Sequence, residues 1–148
     1  MIHVIICAVV VIIDQLSKCL ITTNFVEGES VRLLPYLYLT YVKNVGAAFG
    51  LFAHWRWLFI LLGFAVLFAT FYYRELIKRQ SKFVRWGVTF ALGGAVGNLI
   101  DRIRVGAVID FIDLTVFPIF NFADMSIVAG VALLFLEVLI NDRKQAAG

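Results

Sequence analysis

The stretch that decides the fold is the first one: Ile2-His-Val-Ile-Ile-Cys-Ala-Val-Val-Val-Ile-Ile-Asp14-Gln-Leu-Ser-Lys18-Cys-Leu-Ile21. A helix needs about 20 mostly apolar residues to cross the hydrocarbon core of a bilayer, and this run meets that length. It has no basic leader and no small-residue cleavage site. Asp14 would also sit badly in the apolar stretch of a removable signal peptide, so we expect a retained span. A charge inside a span costs at least about 2.5–3.5 kcal/mol and calls for a partner or a function. Lys18 is one turn beyond Asp14, on the same helix face, and the two form an expected internal ion pair.

The remaining sequence has the same character. Of 148 residues 62% are hydrophobic and 16% charged, with mean hydropathy +0.94. Soluble domains run nearer 45–50% and 25%, so disorder and a disulfide-stapled secreted scaffold are excluded. Three more spans are read at about 57–73, 86–103 and 123–140, the second edged by tryptophan and tyrosine as membrane interfaces favour. Residues 74–85 (RELIKRQSKFVR) hold five basic residues, and Arg143 and Lys144 follow the last span. By the positive-inside rule this loop and both termini face the cytoplasm, leaving 24–56 and 104–122 outside. The net charge of +3 therefore reports orientation, and no nucleic-acid partner is expected. Within the outer segments, Pro35–Val42 and Val105–Ile112 read as strands, and Gly46–Trp57 as a helix lying in the interface. The expected fold is an all-α membrane protein of one domain, residues 1–148: a four-helix transmembrane bundle with a small outer β-sheet and an interfacial helix.

Cys7 and Cys19 are too far apart on one helix to pair and read as buried thiols. With His3 and His54 isolated from acidic clusters, no metal and no cofactor is expected. Span three carries Gly93-Gly-Ala-Val-Gly97, a small-residue face suited to close helix packing. Asn98 and Asp101 follow at i and i+3 with Arg102 beside them, and we expect Arg102 to hold Asp101 or another carboxylate. Asn121 and Asp124 repeat that spacing, and Asp110 lies between. With odd spans running outward and even spans inward, Asp14, Lys18, Asp101 and Asp124 reach one depth, and Asp110 is on the outer segment there. Clustered carboxylates in a low dielectric share protons. That suits an aspartic peptidase, in which one carboxylate activates water and its protonated partner polarises the carbonyl. It suits an ion or proton relay equally well. Serine chemistry is weaker: Ser17 and Lys18 point about 100° apart on a helix, and Ser126 has no base nearby in sequence.

Five blocks in order resemble lipoprotein signal peptidase, also called signal peptidase II. They are Asp14-Gln-Leu-Ser-Lys18, Asn44-Val-Gly-Ala-Ala-Phe49, Gly93-Gly-Ala-Val-Gly-Asn-Leu-Ile-Asp-Arg102, Val108-Ile-Asp-Phe111 and Phe120-Asn-Phe-Ala-Asp-Met-Ser-Ile127. The resemblance implies a multi-pass aspartic endopeptidase of the bacterial cytoplasmic membrane, with its site at the outer face and membrane lipid around it. It implies cleavage of diacylglyceryl-modified prolipoproteins just before the lipidated cysteine. Asp110 and Asp124 are the implied dyad. Asp14, Lys18, Asn44, Asn98, Asp101, Arg102 and Asn121 are the implied supporting residues. The 13 residues between Asp110 and Asp124 make a shorter outer loop than the resemblance leads one to expect. A monomer is expected, and a groove between spans two to four is the expected seat of the signal helix.

Overall fold

The computed structural model describes residues 1–46 and 55–146, the side chains of 144–146 excepted. Among these residues five helices and three strands follow in the order α1 (Ile2–Asn24), β1 (Ser30–Leu34), β2 (Leu37–Asn44), α2 (Arg56–Tyr72), α3 (Arg74–Lys78), α4 (Lys82–Arg104), β3 (Val108–Asp113) and α5 (Phe122–Ala146). Among the described residues three helices are long and apolar enough to cross a membrane: Ile2–Asn24, Lys82–Arg104 and Phe122–Arg143. The apolar α2 is shorter, at 17 residues. The interfacial helix expected at Gly46–Trp57 falls largely on residues outside those described.

The bundle buries polar side chains and exposes many apolar ones. Along α1 the buried side chains are Asp14, Lys18 and Ile21, while Val9, Ile12, Ile13, Leu16 and Leu20 are exposed. With Lys18 facing inward, Cys19 is turned about 100° away and is exposed, whereas Cys7 is half-buried. The expectation of two buried thiols is corrected on that point.

Glycines set the helix spacing. A Cβ built on Gly94 would come within 2.2 Å of the Ala123 carbonyl oxygen, and one on Gly97 within 2.5 Å of Asp14 Oδ2. Helix α4 therefore touches α5 on one face and α1 on another at backbone range, with α2 packed beside it. This close approach lets short polar side chains from α1, α4 and α5 meet inside the bundle. Ser81 starts α4, its hydroxyl accepting from the Val84 amide at 3.3 Å as an N-cap.

The outer sheet is antiparallel in the order β1-β2-β3. Leu34 pairs with Leu37 across a tight turn at Pro35-Tyr36, with Tyr36 at φ 64°. Pro35, expected to open a strand, instead makes the turn that its fixed φ and missing N–H favour. The strand begins two residues later. On the other side Val42 pairs with Asp110 and Asn44 with Val108, which carries Asn44 to the strand that holds Asp110. One face of the sheet packs through Tyr41, Ile109 and Phe111 onto Ile21 of α1.

Candidate active site

Lys18 is the electrostatic centre of the bundle. Its ammonium lies 2.8 Å from Asp14 Oδ2, 2.7 Å from Asp101 Oδ2 and 3.0 Å from Asn98 Oδ1, so its three N–H donors all have acceptors. Lys18 is 2% exposed, Asp14 0% and Asp101 3%. Charges this deep persist only when paired and hydrogen-bonded. The expected Asp14–Lys18 pair is present. The expected bond of Arg102 to Asp101 or another carboxylate does not occur among the described residues: Lys18 and the Gln15 amide take the Asp101 carboxylate. Adjacent residues on a helix point about 100° apart, and Arg102 turns instead toward the Phe59 ring, 4.7 Å from its centroid.

The two carboxylates beside Lys18 also hold backbone. Asp101 Oδ2 accepts the Ile109 amide at 3.2 Å, which anchors the start of β3. Asp14 Oδ1 accepts the Ala123 amide at 2.9 Å, a carboxylate at the N-terminus of α5 where free N–H groups and the helix dipole favour it. Gln15, not singled out in the sequence, bonds Asp14, Asp101 and the Gly97 carbonyl. Its signal was available as an amide inside an apolar span.

Asn121 and Asp124 form a reciprocal capping arrangement. Asn121 Oδ1 accepts the Asp124 amide at 2.9 Å, and Asp124 Oδ2 accepts the Asn121 amide at 3.3 Å. The i, i+3 spacing thus fixes the entry of α5 and the direction of both side chains at once. With its oxygen committed to the cap, the Asn121 NH₂ points to Asp110 Oδ1 at 2.7 Å. Asn44 donates to the other Asp110 oxygen at 2.9 Å and accepts the Gly46 amide at 3.0 Å. On the opposite side the Lys18 ammonium can only donate, so it fixes Asn98 with its carbonyl inward and its NH₂ on Asp124 Oδ1 at 2.7 Å.

Asp110 and Asp124 are therefore two carboxylates joined through Asn121 and held by asparagine amides rather than by cations. Burial pushes the Asp110 carboxyl up from an ordinary 3.8 to about 7, with the Asp124 charge adding to it and the Asn44 and Asn121 amides opposing. Both line a cavity of about 780 Å³ between α2, α4, α5 and the 114–120 loop. Its walls are apolar (Leu62, Val66, Leu99, Ile127), and its polar groups gather around the carboxylates. All nine residues singled out from the sequence as site residues enter this network or line the cavity. The hydroxyls of Ser17 and Ser126 donate to the Asp14 and Phe90 carbonyls, 2.7 and 2.8 Å away. Among the described residues no cluster of three metal-ligating side chains occurs.

Residues 6–140 match the family described as Signal peptidase (SPase) II. The chain belongs to the signal peptidase II family. The lipoprotein signal peptidase of Desulfitobacterium hafniense (strain DSM 10664 / DCB-2) is 45% identical over 135 residues, covering 90% of this chain and 89% of the relative. That of Moorella thermoacetica is 47% identical over 135 residues, covering 88% of each. A solved bacterial membrane enzyme, determined by the in meso method at 2.3 Å resolution, superposes with a TM-score of 0.89 at 34% identity, over 95% of this chain and 88% of the other. A second, at 1.9 Å resolution, gives 0.84 at 34% identity over 93% and 92%. The resemblance drawn from the five sequence blocks is borne out. As a signal peptidase II, the chain is a peptidase, and its apolar helices make it a multi-pass bacterial membrane protein.

Proposed function

We propose that the chain is an aspartic endopeptidase that removes the signal peptide from diacylglyceryl-modified prolipoproteins, cutting just before the lipidated cysteine. Asp110 and Asp124 are the dyad. The observation that carries this reading is the pair of carboxylates joined through Asn121 at the polar end of an apolar cavity. Such a pair shares one proton near neutrality, and burial, which raises the Asp110 carboxyl to about 7, favours its residence on Asp110. Asp124 then takes a proton from water as the oxygen attacks, while Asp110 donates to the scissile carbonyl oxygen. An ion relay would need charges at several depths, whereas the buried ones here gather at one end of the bundle.

Orientation follows from charge. We read α2 as the fourth span, with the basic 74–85 loop and both termini in the cytoplasm and the outer sheet on the far side. A lipidated cysteine, held in the outer leaflet by its acyl chains, then meets the dyad at its own depth. The signal helix lies in the cavity between α2, α4 and α5, and anchoring of both partners supplies much of the encounter. The domain is single and acts as a monomer without metal or cofactor. Incubating the purified protein with a lipidated prolipoprotein tests the reading. A mass loss equal to the signal peptide, absent with Asp110→Asn or Asp124→Asn, is the expected result. Cleavage that survives both substitutions would overturn the dyad.

A further inference from the structure

Among the described residues Arg102 is the one cation that lines the cavity. Lys18 is enclosed by two carboxylates, but no ion pair to Arg102 occurs among the described residues. Its guanidinium lies over the Phe59 ring and donates to the Asn98 and Gly46 carbonyls at 3.4 and 3.3 Å, the long end of the hydrogen-bond range. A guanidinium offers five N–H donors in a planar fork matched to a carboxylate, and two long bonds to carbonyls use that fork poorly. Asp124 and Asp110 are the charged groups it feels most strongly. Here is a half-buried cation beside the dyad that has no ion-pair partner among the described residues.

We propose that Arg102 binds the new C-terminal carboxylate of the cleaved signal peptide, an inference that rests on the peptidase reading above. The intact substrate presents only a neutral amide at this point. In hydrolysis the C–N bond breaks and the oxygen of water stays on the acyl carbon. Both hydrogens of water finish on the amine of the lipidated cysteine, which leaves as an ammonium. The acyl carbon becomes a carboxylate, and the dyad ends with the one proton it started with. An anion is thus created next to a dyad of net negative charge, in an apolar cavity where water screens little. Arg102 supplies the counter-charge, and its fork gains a matching partner only after the bond is cut. The signal peptide with its free carboxylate is therefore a better ligand than any neutral analogue of the same length.

The test compares two synthetic signal peptides ending at the residue before the cleavage point, one with a free carboxylate and one with a carboxamide. Each serves as an inhibitor of prolipoprotein cleavage by the protein in lipid nanodiscs at pH 7. The wild type should bind the acid at least about tenfold more tightly than the amide, the advantage expected of a charge-assisted bidentate pair. In Arg102→Gln the ratio should fall to one or below, because the dyad then repels the acid. Arg102→Lys keeps the charge without the fork and should give an intermediate ratio. That variant and the wild-type ratio decide the matter even where Arg102→Gln yields no folded protein. Equal inhibition by acid and amide in the wild type, or an undiminished ratio in the variants, overturns the assignment. Failure of the wild type to cleave at all would instead sink the peptidase reading, so the two failures are distinguishable.

Discussion

Lys18 Nζ lies 2.7 Å from Asp101 Oδ2, a bond that ties the first helix to the far end of α4 inside the bundle. The same ammonium holds Asp14 and Asn98. Through these three partners it reaches the N-terminus of α5, the start of β3 and the Asp124 carboxylate. Replacing Lys18 with Met leaves two buried carboxylates without a cation. Removing one partner of a buried ion pair costs about 3–5 kcal/mol. We expect little folded protein and a large drop in Tm. The double variant Lys18→Met with Asp14→Asn should recover part of the loss. A Lys18→Met protein as stable as the wild type would refute the central role of this lysine.

The dyad and its scaffold separate by substitution. Asp110→Asn and Asp124→Asn keep side-chain volume but cannot move the proton, so kcat should fall at least about a thousandfold with KM little changed and the protein still folded. Asp101→Asn weakens the hold on Lys18 and Ile109 instead, and should lower yield and Tm while the surviving protein keeps partial activity. Steady-state kinetics beside a thermal melt of each variant distinguish the two patterns. A stable but inactive Asp101→Asn, with an active Asp110→Asn, would transfer the dyad to Asp101.

The dependence on pH follows from Asp110, whose carboxyl burial raises from 3.8 to about 7. The folded state holds this proton more tightly than the unfolded chain. Its contribution to stability is complete below about pH 4, the ordinary range of a free aspartate, and is lost as pH rises to about 7. Because the protonated form is the general acid, kcat/KM should decline above about pH 7 as well. Asp110→Asn should flatten the stability change between these limits, measured by thermal melts across pH. A wild-type melt that does not respond to pH in this window would contradict the assignment.

Much of this was legible in the sequence because membrane burial makes polar residues conspicuous. Asp14, Lys18, Asp101 and Asp124 stand out in apolar runs, and the expected topology brings them to one depth. The partner of Asp101 was not legible. Arg102 is its neighbour in the chain, but helix geometry turns it toward Phe59, and the packing of α1 against α4 brings Lys18 there instead. The backbone donors Ile109 and Ala123 leave no trace in composition, since any residue carries an N–H. Strand β1 was missed because its five residues are all exposed and carry no alternation of burial.

Glycine substitutions test the helix spacing. In Gly94→Ala the new methyl would meet the Ala123 carbonyl at 2.2 Å, so α4 and α5 must separate just where Asp14 caps α5. Several kcal/mol of destabilisation and loss of activity are expected, in line with other forced overpacking. Gly63→Ala is the contrast, since its methyl would meet only the side-chain end of Leu99, at 2.9 Å. That leucine can change rotamer, and the cost should stay near 1 kcal/mol. Equal Tm losses in the two variants would argue against backbone contact as the reason for glycine at 94.

Orientation is tested by cysteine accessibility, and the structure dictates how. Cys19 is exposed near the C-terminal end of α1, which the proposed orientation places outside, and would confuse the outer signal. The experiment therefore starts from a chain with Cys7 and Cys19 replaced by alanine, which removes no hydrogen bond of the Lys18 network. Gln80→Cys, in the basic loop, and Ser30→Cys, at the start of β1, are then introduced one at a time; both positions are exposed. A membrane-impermeant thiol reagent added outside intact cells should label Ser30→Cys and leave Gln80→Cys untouched until the membrane is opened. The reverse pattern would put the outer sheet and the Asp110–Asp124 pair in the cytoplasm, away from a substrate anchored in the outer leaflet. Labelling of both positions from outside would mean that α2 does not cross, and the fourth span would be lost from the proposal.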